Sequence, residues 1–200
     1  MERASLEILE EFAINTGRNI EKFDSYKLYP FGKIPKSTKW IKIEENNSFY
    51  IAYDNSSNSV SPLSLISGVA VPITLNKKQL SLKIAQKDIL DKLNPFKKYV
   101  NSSDKEIDKN LAIYTTDVNN INQIFIDEEL KKLTIKTFKT IPALRLEIIN
   151  LNLKNIPFIN GEDYLFLYKQ QWILQSQTIE KLYQTTNLFY KKLVNLGYCQ

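Results

Sequence analysis

The alternation of apolar and polar positions divides the chain into helical and strand-like stretches. Residues 2 to 15 set Leu6, Leu9, Phe12 and Ala13 on one stripe at helical spacing, and Asn15-Thr16-Gly17 supplies a stop, so a first amphipathic helix is predicted. From Asp24 to Thr38 the prolines Pro30 and Pro35 and Gly32 interrupt any regular pattern and predict an ordered loop. Lys39 to Glu44 and Phe49 to Asp54 alternate in polarity around Glu45-Asn46-Asn47-Ser48, which predicts a β-hairpin. Gly68 to Leu75 reads as a further strand. Pro72 has no amide proton to give to a ladder, so that strand is expected at an edge or with a break. Leu80, Leu82 and Ile84 alternate with Ser81, Lys83 and Ala85, the pattern of a half-buried strand returning beside the previous one.

A short helical turn is expected from Asp88 to Leu93, ended by Asn94-Pro95. Leu111 to Thr115 reads as a strand, after which Val118, Ile121, Ile124 and Phe125 recur at helical spacing. Asp127 to Ile141 continues as a helix through Leu130, Leu133 and Phe138, with acids at its start, Lys136 and Lys139 near its end, and Pro142 as its stop. Ala143 to Leu151 alternates as a strand. Asn160-Gly161 between Ile156 to Ile159 and Tyr164 to Tyr168 predicts a tight hairpin, although Tyr164 to Leu174 also accommodates a helix. Ile179, Leu182, Tyr183, Thr186, Phe189, Tyr190 and Leu193 mark a long terminal helix, with Ser176 or Thr178 as cap and Gly197 as terminator.

These elements predict an α+β fold: a mainly antiparallel sheet flanked by N-terminal, central and long C-terminal helices. The alternative is an α/β arrangement with a partly parallel sheet near residues 111 to 151. No repeat or Gly/Ser linker divides the chain, so residues 1–200 are expected to form one domain.

Composition then narrows the chemistry. Hydrophobic residues make up 43% of the chain and aromatic residues 12%, enough for a real core. The one cysteine, Cys199, allows no internal disulfide and no thiolate cluster; in a terminus expected to fray, it is read as an incidental thiol. With no export signal and no apolar run long enough to span a bilayer, a cytoplasmic location is expected. The absence of histidine removes Ser-His-Asp, Cys-His and His-metal mechanisms. Five glycines, none in a phosphate-cradling pattern, leave no nucleotide loop, and no cofactor is expected.

Carboxylates are what remains for catalysis. Asp104, Glu106 and Asp108 alternate as hard-cation ligands would, a minority candidate metal site; as an EF-hand it fails, with Lys109 and Thr115 where glycine and glutamate belong. Glu44, Asp54, Glu162 and Asp163 lie near strand ends and could serve acid/base chemistry only if paired in space.

The formal charge of +5 suits an acidic protein partner or a small anionic ligand. Nucleic acid is disfavoured because Glu44-Glu45, Asp127-Glu128-Glu129 and Glu162-Asp163 break up the positive field. The most distinctive local feature is basic and aromatic: Tyr29, Phe31, Lys33, Lys36, Lys39, Trp40 and Lys42, a candidate anion site in which lysines contact charge and rings offer stacking faces. The plainer reading is a loop pinned by its aromatics with its lysines in water. The leading expectation is a non-catalytic binding or interaction domain. The alternatives are a histidine-independent hydrolase or cation-assisted enzyme using Asp and Glu, and a structural or assembly subunit.

Overall fold

Strand alternation organises the protein around one sheet. The computed structural model describes residues 2–27, 36–58, 61, 63–76, 80–87, 99–117, 121–153, 156–159 and 161–200. Its strands are β1 (Ile20–Lys27), β2 (Lys36–Glu45), β3 (Ser48–Asp54), β4 (Leu65–Ile73), β5 (Leu82–Gln86), β6 (Leu111–Thr115), β7 (Arg145–Asn150) and β8 (Asp163–Lys169). They form one eight-stranded sheet in the order β1-β2-β3-β4-β8-β7-β5-β6, and every ladder is antiparallel. The helices among the described residues are α1 (Glu2–Thr16), α2 (Lys105–Asn110), α3 (Ile121–Ile124), α4 (Glu128–Thr140) and α5 (Ser176–Asn195). The fold is α+β. The partly parallel alternative is corrected for a topological reason: β6 and β7 run the same way, but β5 lies between them and pairs antiparallel with both.

Several local expectations are also corrected. The stretch from Asp24 to Thr38 is not all loop, since β1 runs to Lys27 and β2 begins at Lys36. β4 is interior rather than an edge. It tolerates Pro72 because pairing with β3 stops at Phe49↔Ala70, so only the β8 side of the ladder runs past the proline. β5 does not return beside β4 but pairs with β6 and β7. Ile156 to Ile159 is not a strand; β8 pairs instead with β7, from Arg145↔Tyr168 to Asn150↔Asp163. The Asp88 to Leu93 turn with Asn94-Pro95, and Val118, lie outside the described residues. The cap position of α5 is Gln175, which makes no side-chain cap bond, rather than Ser176 or Thr178.

One glycine is fixed by close approach. A Cβ on Gly68 of β4 would stand 2.2 Å from the carbonyl oxygen of Leu167 on β8, too near for any side chain to fit.

The two faces of the sheet are covered differently. On one, Ile41, Ile43, Tyr50, Val69, Leu165 and Leu167 meet the apolar stripes of α1, α4 and α5 in the main core. On the other, the alternate positions Trp40, Phe49, Ile51, Tyr164 and Phe166 pack under Leu151, Leu153, Ile156 and Ile159 from the β7–β8 connection. The C-terminus does not fray. Thr74 and Gln200 exchange two backbone hydrogen bonds (3.0 and 3.1 Å), Leu75 bridges Cys199, and the thiol is buried.

Candidate functional site

The described residues of the basic and aromatic segment do not converge on one site. Lys36, Lys39, Trp40 and Lys42 lie on β2, where the period of two sends Lys36, Trp40 and Lys42 to one face and Lys39 to the other. Tyr29, Phe31 and Lys33 lie outside the described residues. Trp40 is buried, its ring stacked on Phe23 at 6.0 Å and met edge-on by Phe158 at 5.2 Å. Lys42 is buried as well. Its ammonium pairs with Glu21 at 2.9 Å and Glu44 at 2.5 Å and lies 4.3 Å from the Phe158 ring centroid. Burial pulls the Lys42 pKa down, but the two carboxylates outweigh it and raise it. Lys39 sits in register between Asp24 and Asp54, and neither Lys36 nor Lys39 lacks a partner. Lys36, Lys39 and Lys42 are built into the sheet.

Five of the acidic candidates are likewise occupied. Asp104 is the N-cap of α2, accepting from the amides of Glu106 and Ile107 at 2.9 and 3.0 Å and pairing with Lys131 at 3.1 Å. Asp108 accepts from the amide and hydroxyl of Ser102, and Glu106 faces Lys139 at 3.6 Å. The three carboxylates thus point to three different partners. Among the described residues no group of three or more His, Cys, Asp or Glu side chains is placed to hold a metal ion. Glu44 pairs with Lys42, and Asp54 accepts from Ser56. Glu162 and Asp163 border an open groove with Thr74 and Asn150.

A different surface gathers lysines that form no ion pair among the described residues. α4 and α5 lie side by side on the helical face, joined by a buried contact between the Thr137 and Thr185 hydroxyls at 3.0 Å. Threonine makes this seam possible. Thr134, Thr137, Thr185 and Thr186 are all fully buried, and the hydroxyls of Thr134, Thr185 and Thr186 donate to the carbonyls one turn back, so short side chains bring the helices close at no cost in orphaned hydroxyls. Close backbones leave a shallow groove above the seam, about 600 Å³ in volume, lined by Glu129, Lys132, Leu133 and Lys136 of α4 and Gln184, Asn187, Leu188 and Lys191 of α5.

The groove has an apolar floor and a basic rim. Leu133 and Leu188 are half-buried, whereas Leu130 and Phe138, on the same helix as Leu133, are buried in the core. Lys132, Lys136 and Lys191 are exposed and form no ion pair among the described residues, in contrast to Lys131, which holds Asp104 and Glu128. Lys132 and Lys136 also border a second, smaller depression with Lys139 and Glu106, so the basic ridge of α4 continues beyond the groove. The Asn187 Oδ1 is buried and has no hydrogen-bond donor among the described residues. An acceptor left this way costs free energy until a donor arrives.

In the sequence, Lys132, Lys136 and Lys139 recur at the spacing of one helix face, but their partner surface on α5 lies some fifty residues away, beyond the reach of local pattern. Neither a family model nor a curated protein nor a solved structure matches this chain. No helix among the described residues is long and apolar enough to cross a membrane.

Proposed function

We propose that the protein is a non-catalytic binding domain whose α4–α5 groove receives an acidic, partly apolar segment of a partner protein. The observation that carries this reading is the trio Lys132, Lys136 and Lys191, exposed cations that form no ion pair among the described residues, around a leucine floor. A free cation rim steers and orients an acidic partner, while the half-buried Leu133 and Leu188 offer apolar area for its hydrophobic side chains. Among the described residues the lining contains no aromatic ring on which a base would stack, which favours a polypeptide over a single-stranded nucleic acid.

The test uses an amphipathic peptide of about three helical turns with leucines on one face and glutamates flanking them, labelled for fluorescence anisotropy. Lys132→Glu, Lys136→Glu and Lys191→Glu together should weaken binding by roughly tenfold or more, as three exposed pairs turn repulsive. Equal affinity for the wild type and the triple variant would refute the proposal.

A further inference from the structure

The sheet ends at β1, and among the described residues nothing pairs with its outer edge. We infer that this edge is a self-recognition surface through which two copies of the chain join their sheets about a two-fold axis.

Backbone geometry restricts how two such edges can meet. The Glu44 amide donates to the Asn19 carbonyl at 2.9 Å, and the β1–β2 register continues that pairing through Glu21↔Lys42 and Phe23↔Trp40. In an antiparallel ladder, hydrogen-bonding residues alternate, so residues 19, 21, 23 and 25 bond inward to β2, and 20, 22 and 24 turn their amides and carbonyls outward. A symmetric antiparallel partner must match outward residues with outward residues, which requires the two-fold axis to pass beside a residue rather than between two. Centred on Lys22 or Asp24, the pairing sets a like charge against itself. Centred on Phe23, it places Lys22 opposite the Asp24 of the second copy twice over and Phe23 opposite Phe23, with no like-charge pair.

The side chains remain accessible for this arrangement. Phe23 and Ile20 are among the exposed large hydrophobic residues, at 38% and 36% exposure. Phe23 already stacks on Trp40, so a second Phe23 extends an existing aromatic cluster. Lys22 pairs with Glu10 at 2.7 Å yet keeps a side-chain exposure of 56%, leaving its ammonium open to a second carboxylate. Charged residues on an edge strand usually discourage pairing with other chains. Here their order makes the edge complementary to itself in one register and repulsive in those shifted by one residue to either side.

An edge of eight residues buries little area, so the dimer is expected to be weak and dependent on concentration. Sedimentation equilibrium from about 10 to about 500 µM should show a monomer–dimer transition in the wild type. Lys22→Asp and Asp24→Lys alone should each lower dimer affinity at least about tenfold, and the two together should restore it, since the swap rebuilds both pairs. A second variant does not depend on charge: Phe23→Cys should form a disulfide-linked dimer under mild oxidation, because directly opposed residues at a non-hydrogen-bonded position lie within reach of one. A wild type that stays monomeric throughout, a double variant no tighter than either single one, or a Phe23→Cys protein that never crosslinks would each overturn the inference.

Discussion

The Tyr183 hydroxyl donates to the Ile43 carbonyl at 2.6 Å, and in the same position it accepts from the Tyr50 amide at 2.9 Å. Ile43 and Tyr50 are paired residues of β2 and β3, so one side chain of α5 joins both strands of the hairpin from the helical face. The ring also lies 4.8 Å below the guanidinium of Arg18, which pairs with Glu45 at the hairpin end and with Glu180 on α5. Tyr183→Phe keeps the packing and removes the bridge, and should cost about 1–2 kcal/mol in chemical denaturation with little change in the denaturant dependence. A variant as stable as the wild type would show that the hydroxyl merely fills space.

Alkaline pH should unfold the protein from within. Burial pushes Tyr50 and Tyr183 well above the ordinary tyrosine value, and raises Tyr168 and Tyr198 to about 12, the second helped by Asp117. A group whose folded pKa is the higher one stabilises the fold fully below its unfolded pKa, and that contribution is lost as pH rises toward the folded value. The loss should therefore begin near pH 10 and reach on the order of 1 kcal/mol per phenol by about pH 11. The melting temperature measured between pH 8 and pH 11 should fall together with the appearance of tyrosinate absorbance. Titration of these phenols before unfolding would contradict the assignment.

Lys42 and Lys36 should behave differently although both were candidates for one anion site. Lys42→Ala leaves Glu21 and Glu44 without their cation beside a buried aromatic cluster and should destabilise the fold by about 1–2 kcal/mol, discounted for the partly exposed carboxylates. Lys36 is exposed at the start of its strand, and Lys36→Ala should change stability by less than about 0.5 kcal/mol. Thermal or urea unfolding of the two variants measures the difference.

Asp104 should govern part of the acid limb. The Ile107 amide, together with Lys131 and the Glu106 amide and against the opposing effect of burial, holds its carboxyl below the usual value. A depressed pKa gives stability that is present above the unfolded value near 4 and is lost as pH falls through the folded one. Asp104→Ala should cost about 1 kcal/mol at neutral pH, the ordinary loss of a helix cap, and should make unfolding less dependent on pH below about 4.

What the sequence revealed follows from the range of each physical signal. The stripe of Ile179, Leu182, Tyr183 and Phe189 and the alternation around Asn46-Asn47 are local, and both elements formed as expected. β1 was hidden because an edge strand exposed on both faces has no reason to alternate; Glu21, Lys22, Phe23 and Asp24 are all exposed. The Asn160-Gly161 signal pointed to a hairpin of the right second strand but the wrong first one. Ile156 and Ile159 are buried as a cover over the sheet rather than as a rung of it. The lysines of β2 looked like a binding patch because spacing alone does not tell whether Glu21 and Glu44 are within reach of Lys42. The groove between α4 and α5 depends on two helices meeting through threonines, which periodicity does not report.

A nuclear magnetic resonance titration of the isotope-labelled protein with the glutamate-and-leucine peptide tests, residue by residue, the binding of an acidic partner segment between α4 and α5. Amide shifts should centre on Lys132, Leu133, Lys136, Leu188 and Lys191 and vanish at high salt. Shifts centred on Lys36, Lys39 and Trp40, or no shifts at all, would contradict it.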